Sequence, residues 1–157
     1  VIAVGRGAGT PEAALFARHA ARLRPRLELV EFPDAKGSAG EIRRREGERI
    51  LAALPDGALL VALDLGGSAP DSEGLAGLLV RWAETGRVLA FAIGGAEGLD
   101  PAVLARAEAR LALSRLTLPH LLARALLAEA LFRAQSIALG HPYHRAWRPD
   151  SHSGRNG

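Results

Sequence analysis

Strand-like apolar runs alternate with helix-like segments along nearly the whole chain, and this alternation limits the fold more than any other feature. Residues 1–4, 27–32, 59–63, 88–93 and 111–113 read as strands, the third and fourth being continuously apolar. Continuous apolar runs suit strands covered on both faces, as in parallel sheets. Between them lie helical signals. Thr10, Pro11 and Glu12 form a cap, a first-turn proline and an acidic residue, opening a helix to about Leu23. Residues 41–54 have helical spacing, Ser72 can cap a helix running to Thr85, and Asp100-Pro101 opens a short one. A long helix runs from Pro119 to Leu139 and stops at Gly140. Five strands separated by helices predict an α/β domain, a parallel sheet with helices on both faces.

The 157 residues suit one domain, and 48% hydrophobic with 24% charged residues is ordinary for a globular protein. No apolar run approaches the ~20 residues that cross a bilayer, so no membrane partner is expected. Cysteine is absent, which excludes disulfides, thiolate metal sites and a cysteine nucleophile, and fits a cytoplasmic enzyme. Val1 lies inside a strand-like run with no initiating Met, so a residue or two is expected ahead of it. Of 20 basic residues only Lys36 is lysine, and arginine suits planar, bidentate contacts with phosphate. Three arginines and three histidines follow Gly140 against the single Asp150, so an anionic partner is expected at that end. Residues 34–40 read as a polar, mobile loop. Residues 146–157 have no periodicity and read as a disordered extension of a domain spanning 1–145.

In parallel sheets ligands bind beyond the carboxyl ends of the strands, here the loops after Val4, Leu63, Ile93 and Leu113. The first glycine loop, Gly5-Arg6-Gly7-Ala8-Gly9-Thr10, with Glu31 near the second strand's end, hints at a dinucleotide site, although Thr10 stands where the third glycine belongs. The second, Gly94-Gly95-Ala96-Glu97-Gly98, lacks the Lys-Ser/Thr of a triphosphate-binding loop but lets backbone approach a planar ligand. In the last helix Glu129 and Arg133 are spaced to pair on the surface. Arg124, one turn after His120, either faces a pocket entrance or is structural. His141-Pro142-Tyr143-His144-Arg145 has His–x–x–His spacing with no carboxylate or cysteine to complete a metal site, so no metal is expected. Tyr143, the single tyrosine, combines there with an imidazole and a guanidinium, a set suited to an unstacked RNA base. No Gly-x-Ser-x-Gly elbow is present, which disfavours a serine hydrolase.

Leu63-Asp64, residues 78–82, Ile93-Gly-Gly-Ala-Glu-Gly-Leu99, residues 113–120, residues 127–134 and His141–Arg145 together resemble the bacterial large-subunit rRNA pseudouridine methyltransferase family of the SPOUT superfamily. The likeness runs from about Val1 to Arg145. It implies a C-terminal trefoil knot, a homodimer, S-adenosylmethionine as cofactor, and methylation of N3 of a pseudouridine in a 23S rRNA hairpin loop on the ribosome. It implies cofactor contacts from Leu63, Gly94, Gly95, Leu113, Ser114, Arg115, Leu116, Thr117 and Leu118, and removes the Gly5–Gly9 loop from the cofactor site. His144, Tyr143, Arg145 and His120 are then the candidate catalytic groups, with either imidazole able to take the N3 proton. Arg124, His141, Tyr143 and Arg145 are the candidate RNA contacts. Two departures stand out. Ser68 occupies a position where the family commonly has Lys, and 12 residues follow Arg145 where the family usually ends. The alternatives are a Rossmann-type NAD(P) oxidoreductase using Gly5, Gly7 and Glu31, and a catalytically inactive RNA-binding protein of the ribosome.

Overall fold

The structure, a computed structural model, describes residues 1–143; His144 and Arg145, with everything after them, lie outside the described residues. Its strands are β1 (Ile2–Val4), β2 (Val30–Phe32), β3 (Leu59–Ser68), β4 (Leu89–Ile93) and β5 (Ala109–Leu111). They form one sheet in the order β2-β1-β4-β3-β5, and every pairing is parallel. The helices are α1 (Pro11–Ala20), α2 (Ala39–Ala52), α3 (Ser72–Glu84), α4 (Pro101–Arg106) and α5 (His120–Ala138).

Side chains alternate across the strands and sort the core into two layers. Ala3, Val61, Phe91, Ile93 and Leu111 point into the layer that holds Leu75 and Trp82 of α3 and Leu127, Leu131 and Phe132 of α5. Their neighbours Ile2, Val4, Leu60, Ala62, Ala90 and Ala92 point the other way, onto Ile50 of α2 and Val103 of α4. Each large side chain buried in these layers stabilises the fold by about 1.5–3 kcal/mol. A third cluster joins Phe16 and Ala20 of α1 to Ala125 and Ala128 of α5. The expected parallel sheet with helices on both faces is therefore what forms. α5 is the central helix of its layer, between α1 and α3, which explains why its sequence is apolar nearly all round.

Local signals account for most helix starts. Thr10 Oγ1 accepts the Ala13 amide at 3.1 Å, and Ser38 and Glu41 close a reciprocal capping box. α3 is capped by Asp71, whose Oδ1 accepts the Gly74 amide at 2.7 Å, and not by Ser72, which is its first residue. Asp100 caps α4 through the Ala102 amide at 2.8 Å. α5 has Pro119 at its cap position and no side-chain cap, so its start depends on tertiary contacts.

Three strands differ from the sequence reading by more than one residue, β2 being only Val30–Phe32 where 27–32 was expected. β3 does not stop at Leu63: it continues to Ser68, pairing Ser68 with Leu111 of β5 after a break in register. The Ala112 amide donates to Ser68 O at 2.8 Å, and the Ser68 hydroxyl donates to Arg110 O at 3.2 Å. Gly67 lies so close to β5 that a Cβ would sit 2.6 Å from the Arg110–Leu111 backbone. β5 itself is Ala109–Leu111, two residues earlier than the apolar run suggested.

Candidate active site

A cavity of about 610 Å³ opens at the carboxyl ends of β3, β4 and β5. Three segments and the first turn of α5 enclose it. Leu63, Asp64 and Leu65 come from β3; Ile93, Gly94, Gly95, Ala96, Gly98 and Leu99 from the turn after β4; Leu111 to Ser114 and Leu116 to Pro119 from the loop after β5; His120 and Ala123 from α5. Eight of the nine positions expected around a cofactor converge here: Leu63, Gly94, Gly95, Leu113, Ser114, Leu116, Thr117 and Leu118. Arg115 is exposed and not part of the lining. The size and mostly apolar lining suit a small organic ligand.

The glycine turn owes its shape to missing side chains. The Gly98 amide donates to Gly95 O at 3.1 Å, closing residues 94–98 on themselves. A Cβ on Gly94 would meet the Gly98 carbonyl at 2.8 Å, and one on Gly95 would meet Glu46 Oε2 at 3.0 Å. Any side chain at Gly94 therefore breaks the turn itself and does not merely obstruct a ligand. Glu46, 3% exposed, lies behind this turn, and its Oε1 accepts the Ala35 amide at 3.0 Å, which brings the loop after β2 to the same place. On the opposite wall the Leu116 amide donates to Ser114 Oγ at 2.9 Å, which bends the loop and leaves the Leu116 side chain 72% exposed at the rim.

His120 is seated on the end of β1. Gly5 has φ +87°, and the place where its Cβ would be is 2.3 Å from His120 Nε2. The first glycine loop thus serves the cavity indirectly, as the seat of an imidazole. Gly7 is engaged as well: its amide donates to Glu31 Oε2 at 3.2 Å, and its carbonyl accepts from the Thr10 hydroxyl at 2.7 Å. Glu31 is engaged by its own chain, through the Gly7 amide and Arg124, which weighs against the dinucleotide reading.

Arg124, left open between a pocket-facing and a structural place, is buried and bonded within its own chain. Its side chain is 3% exposed, and its guanidinium donates to Glu31 at 2.9 Å and to the carbonyls of Val4 and Gly5. Burial lowers its pKa from the ordinary value, with Glu31 opposing, yet an arginine remains charged at neutral pH. Glu129 and Arg133 pair within α5 as expected.

Tyr143 does not reach the cavity of its own chain. Its ring meets Phe132 edge-on at 4.6 Å, with the Arg22 and Arg133 guanidinium groups 4.9 and 5.2 Å from its centroid. His141 is exposed near the end of α5, its amide donating to Ser136 O at 2.8 Å. Among the described residues no group of His, Asp and Glu could hold a metal ion. Asp64 is the one charged group in the lining that the sequence reading left without a role. A carboxylate ending a five-residue apolar run was the signal for it.

Residues 1–144 match the family described as predicted SPOUT methyltransferase. Among curated proteins, the ribosomal RNA large subunit methyltransferase H of Acidiphilium cryptum (strain JF-5) is 60% identical over 149 residues, covering 95% of this chain and 94% of that protein. The protein of the same name from Gluconacetobacter diazotrophicus is 56% identical over 149 residues, covering 95% and 98%. That of Rhodospirillum rubrum is 49% identical over 148 residues, covering 93% and 97%. The parallel α/β sheet, the glycine turn closing one side of the cavity and these near-full-length matches lead to one conclusion: the chain belongs to the SPOUT methyltransferase family, beside the large-subunit rRNA methyltransferases of type H.

Proposed function

We propose that this chain is an rRNA methyltransferase that binds S-adenosylmethionine in the cavity and methylates N3 of a pseudouridine in a 23S rRNA hairpin loop. The observation that carries it is the convergence of Leu63, the Gly94–Gly95 turn and residues 113–118 on one cavity of suitable size. The residues fit the cofactor: side-chain-free backbone at Gly94 and Gly95 suits a flat base, and Leu63, Leu116 and Leu118 supply apolar contact. When bound, the cofactor supplies an electrophilic methyl group. The chain's task is to hold the acceptor nitrogen in line with that group, a contribution of several kcal/mol to the barrier, and to receive the N3 proton. His120 lines the cavity and takes that role in this reading.

The same reading includes the family's C-terminal trefoil knot, a domain ending near residue 145, work on ribosomes in the cytoplasm, and a homodimer. The position of Tyr143 favours the dimer. It packs on Phe132, twelve residues beyond His120, which is about 18 Å along α5 at 1.5 Å per residue. In this reading His144 and Arg145 act at the cavity of a partner copy. No helix of the described residues is long and apolar enough to cross a membrane.

Calorimetry with S-adenosylhomocysteine tests the cofactor assignment, with methyl incorporation into 23S rRNA measured in parallel. Micromolar binding is expected. Leu116→Asp, which alters an exposed rim residue, weakens it about tenfold, the lower end of what covering a leucine contributes. Absence of binding at millimolar ligand, or binding indifferent to Leu116→Asp, would overturn the assignment.

A further inference from the structure

α5 carries two groups on one face, His120 and, one turn later, Arg124. The first lines the cavity; the second is buried. We infer that Arg124 is a positioning residue, which binds the end of β1 and Glu31 of β2 so that the first turn of α5 holds the His120 imidazole at the cavity wall. The inference rests on the proposed reading of that cavity as the methyl-transfer site.

Three observations support it. First, the start of α5 has no local anchor, because Pro119 occupies the cap position without a side-chain bond to the helix. Second, the guanidinium replaces that anchor at long range. One of its nitrogens donates to both the Val4 and Gly5 carbonyls, another donates to Glu31 at 2.9 Å, and Glu31 in turn accepts the Gly7 amide at 3.2 Å. Helix, strand end and glycine loop are thus joined through one planar cation. Third, the carbonyl it holds at Gly5 belongs to the residue on which His120 is seated, where the absent Cβ would lie 2.3 Å from Nε2. A shift of α5 along β1 would drive the imidazole off that seat.

The cluster orients as well as stabilises, since its acceptors lie at the carboxyl end of β1 and on Glu31, which also accepts the Gly7 amide of the following loop. The planar, forked guanidinium can bridge two carbonyls and a carboxylate at once, which an ammonium cannot.

The test uses full-length Arg124→Lys, Glu31→Gln and Gly5→Ala. Gly5→Ala disturbs the histidine seat while keeping both charged side chains, and Glu31→Gln keeps an acceptor for Gly7 while removing the charge. Long-range proton–nitrogen NMR of the His120 imidazole, S-adenosylhomocysteine affinity and single-turnover methyl transfer to ribosomes across pH are read on each. The expected result is a displaced His120 signal in all three folded variants, ligand affinity within threefold of wild type, transfer slowed at least tenfold, and an altered pH profile. An unmoved His120 signal in Arg124→Lys and Glu31→Gln overturns the inference, as does slowing matched by an equal loss of affinity. If wild type fails to bind S-adenosylhomocysteine, the proposed function falls, while the imidazole signal still decides the positioning role.

Discussion

Replacing Arg124 by Met removes the cation and leaves a side chain of comparable length, so the cost can be worked from the partners left behind. The Val4 and Gly5 carbonyls lose their donor in a buried place, at about 1–3 kcal/mol each, or about 2–6 kcal/mol together. Glu31 is 27% exposed and water takes over part of its solvation, so its loss is about 1 kcal/mol or less. Release of the guanidinium's own desolvation penalty offsets part of this. A net destabilisation of about 2–4 kcal/mol follows, which for a domain of this size lowers the melting temperature by about 5–15 °C. Urea unfolding at one fixed protein concentration is the assay, since association adds to apparent stability. The midpoint falls while the slope stays constant. A variant within about 0.5 kcal/mol of wild type would refute the reasoning, because it would mean that neither carbonyl depends on the guanidinium.

Two further outcomes are expected. Burial holds the His19 imidazole below its ordinary pKa of 6.5, with Glu129 opposing, and its Nδ1 is buried without a partner; the unfolded chain therefore takes up the proton first, and this contribution is full above pH 6.5 and lost as pH falls below it. His19→Gln flattens the fall in urea midpoint between about pH 7.5 and 5.5, and parallel slopes for the two proteins would contradict this. Removal of residues 144–157, which leaves Tyr143 against Phe132, preserves S-adenosylhomocysteine affinity and ends methyl transfer to rRNA, whereas removal of 146–157 alone leaves transfer unchanged; full activity in the longer deletion would exclude His144 and Arg145 from the chemistry.

The parts of the fold legible in the sequence are those set by short-range rules. The apolar runs of β3 and β4, the caps at Thr10 and Asp100 and the stop at Gly140 were each visible from neighbouring residues. The glycine turn after Ile93 was visible as well, because close backbone approach needs glycine whatever surrounds it. The continuation of β3 through Gly66 and Gly67 was not, since those residues have no strand preference and pair only because β5 lies alongside. The place of Arg124 was left open for a related reason. A charged residue on a helix is usually solvated, and its acceptors, Val4 and Gly5, lie 120 and 119 residues away in sequence. The seat of His120 on Gly5 is equally invisible to any local pattern.

The strand order has a consequence for the order in which the molecule can be assembled. β3 is bordered by β4 and β5, both later in the chain, so a chain released only as far as residue 88 contains no hydrogen-bonding neighbour for β3. Strands cannot join the sheet in the order in which they are made: β4 has to be in place before β3 is linked to β1. α5, the last described helix, must then close over α1 and α3 from the far end of the sequence. Every local element can form early, but the surfaces that make them one body meet only when the C-terminal third arrives, so the cavity and the shell that supports it come into being in the same final step.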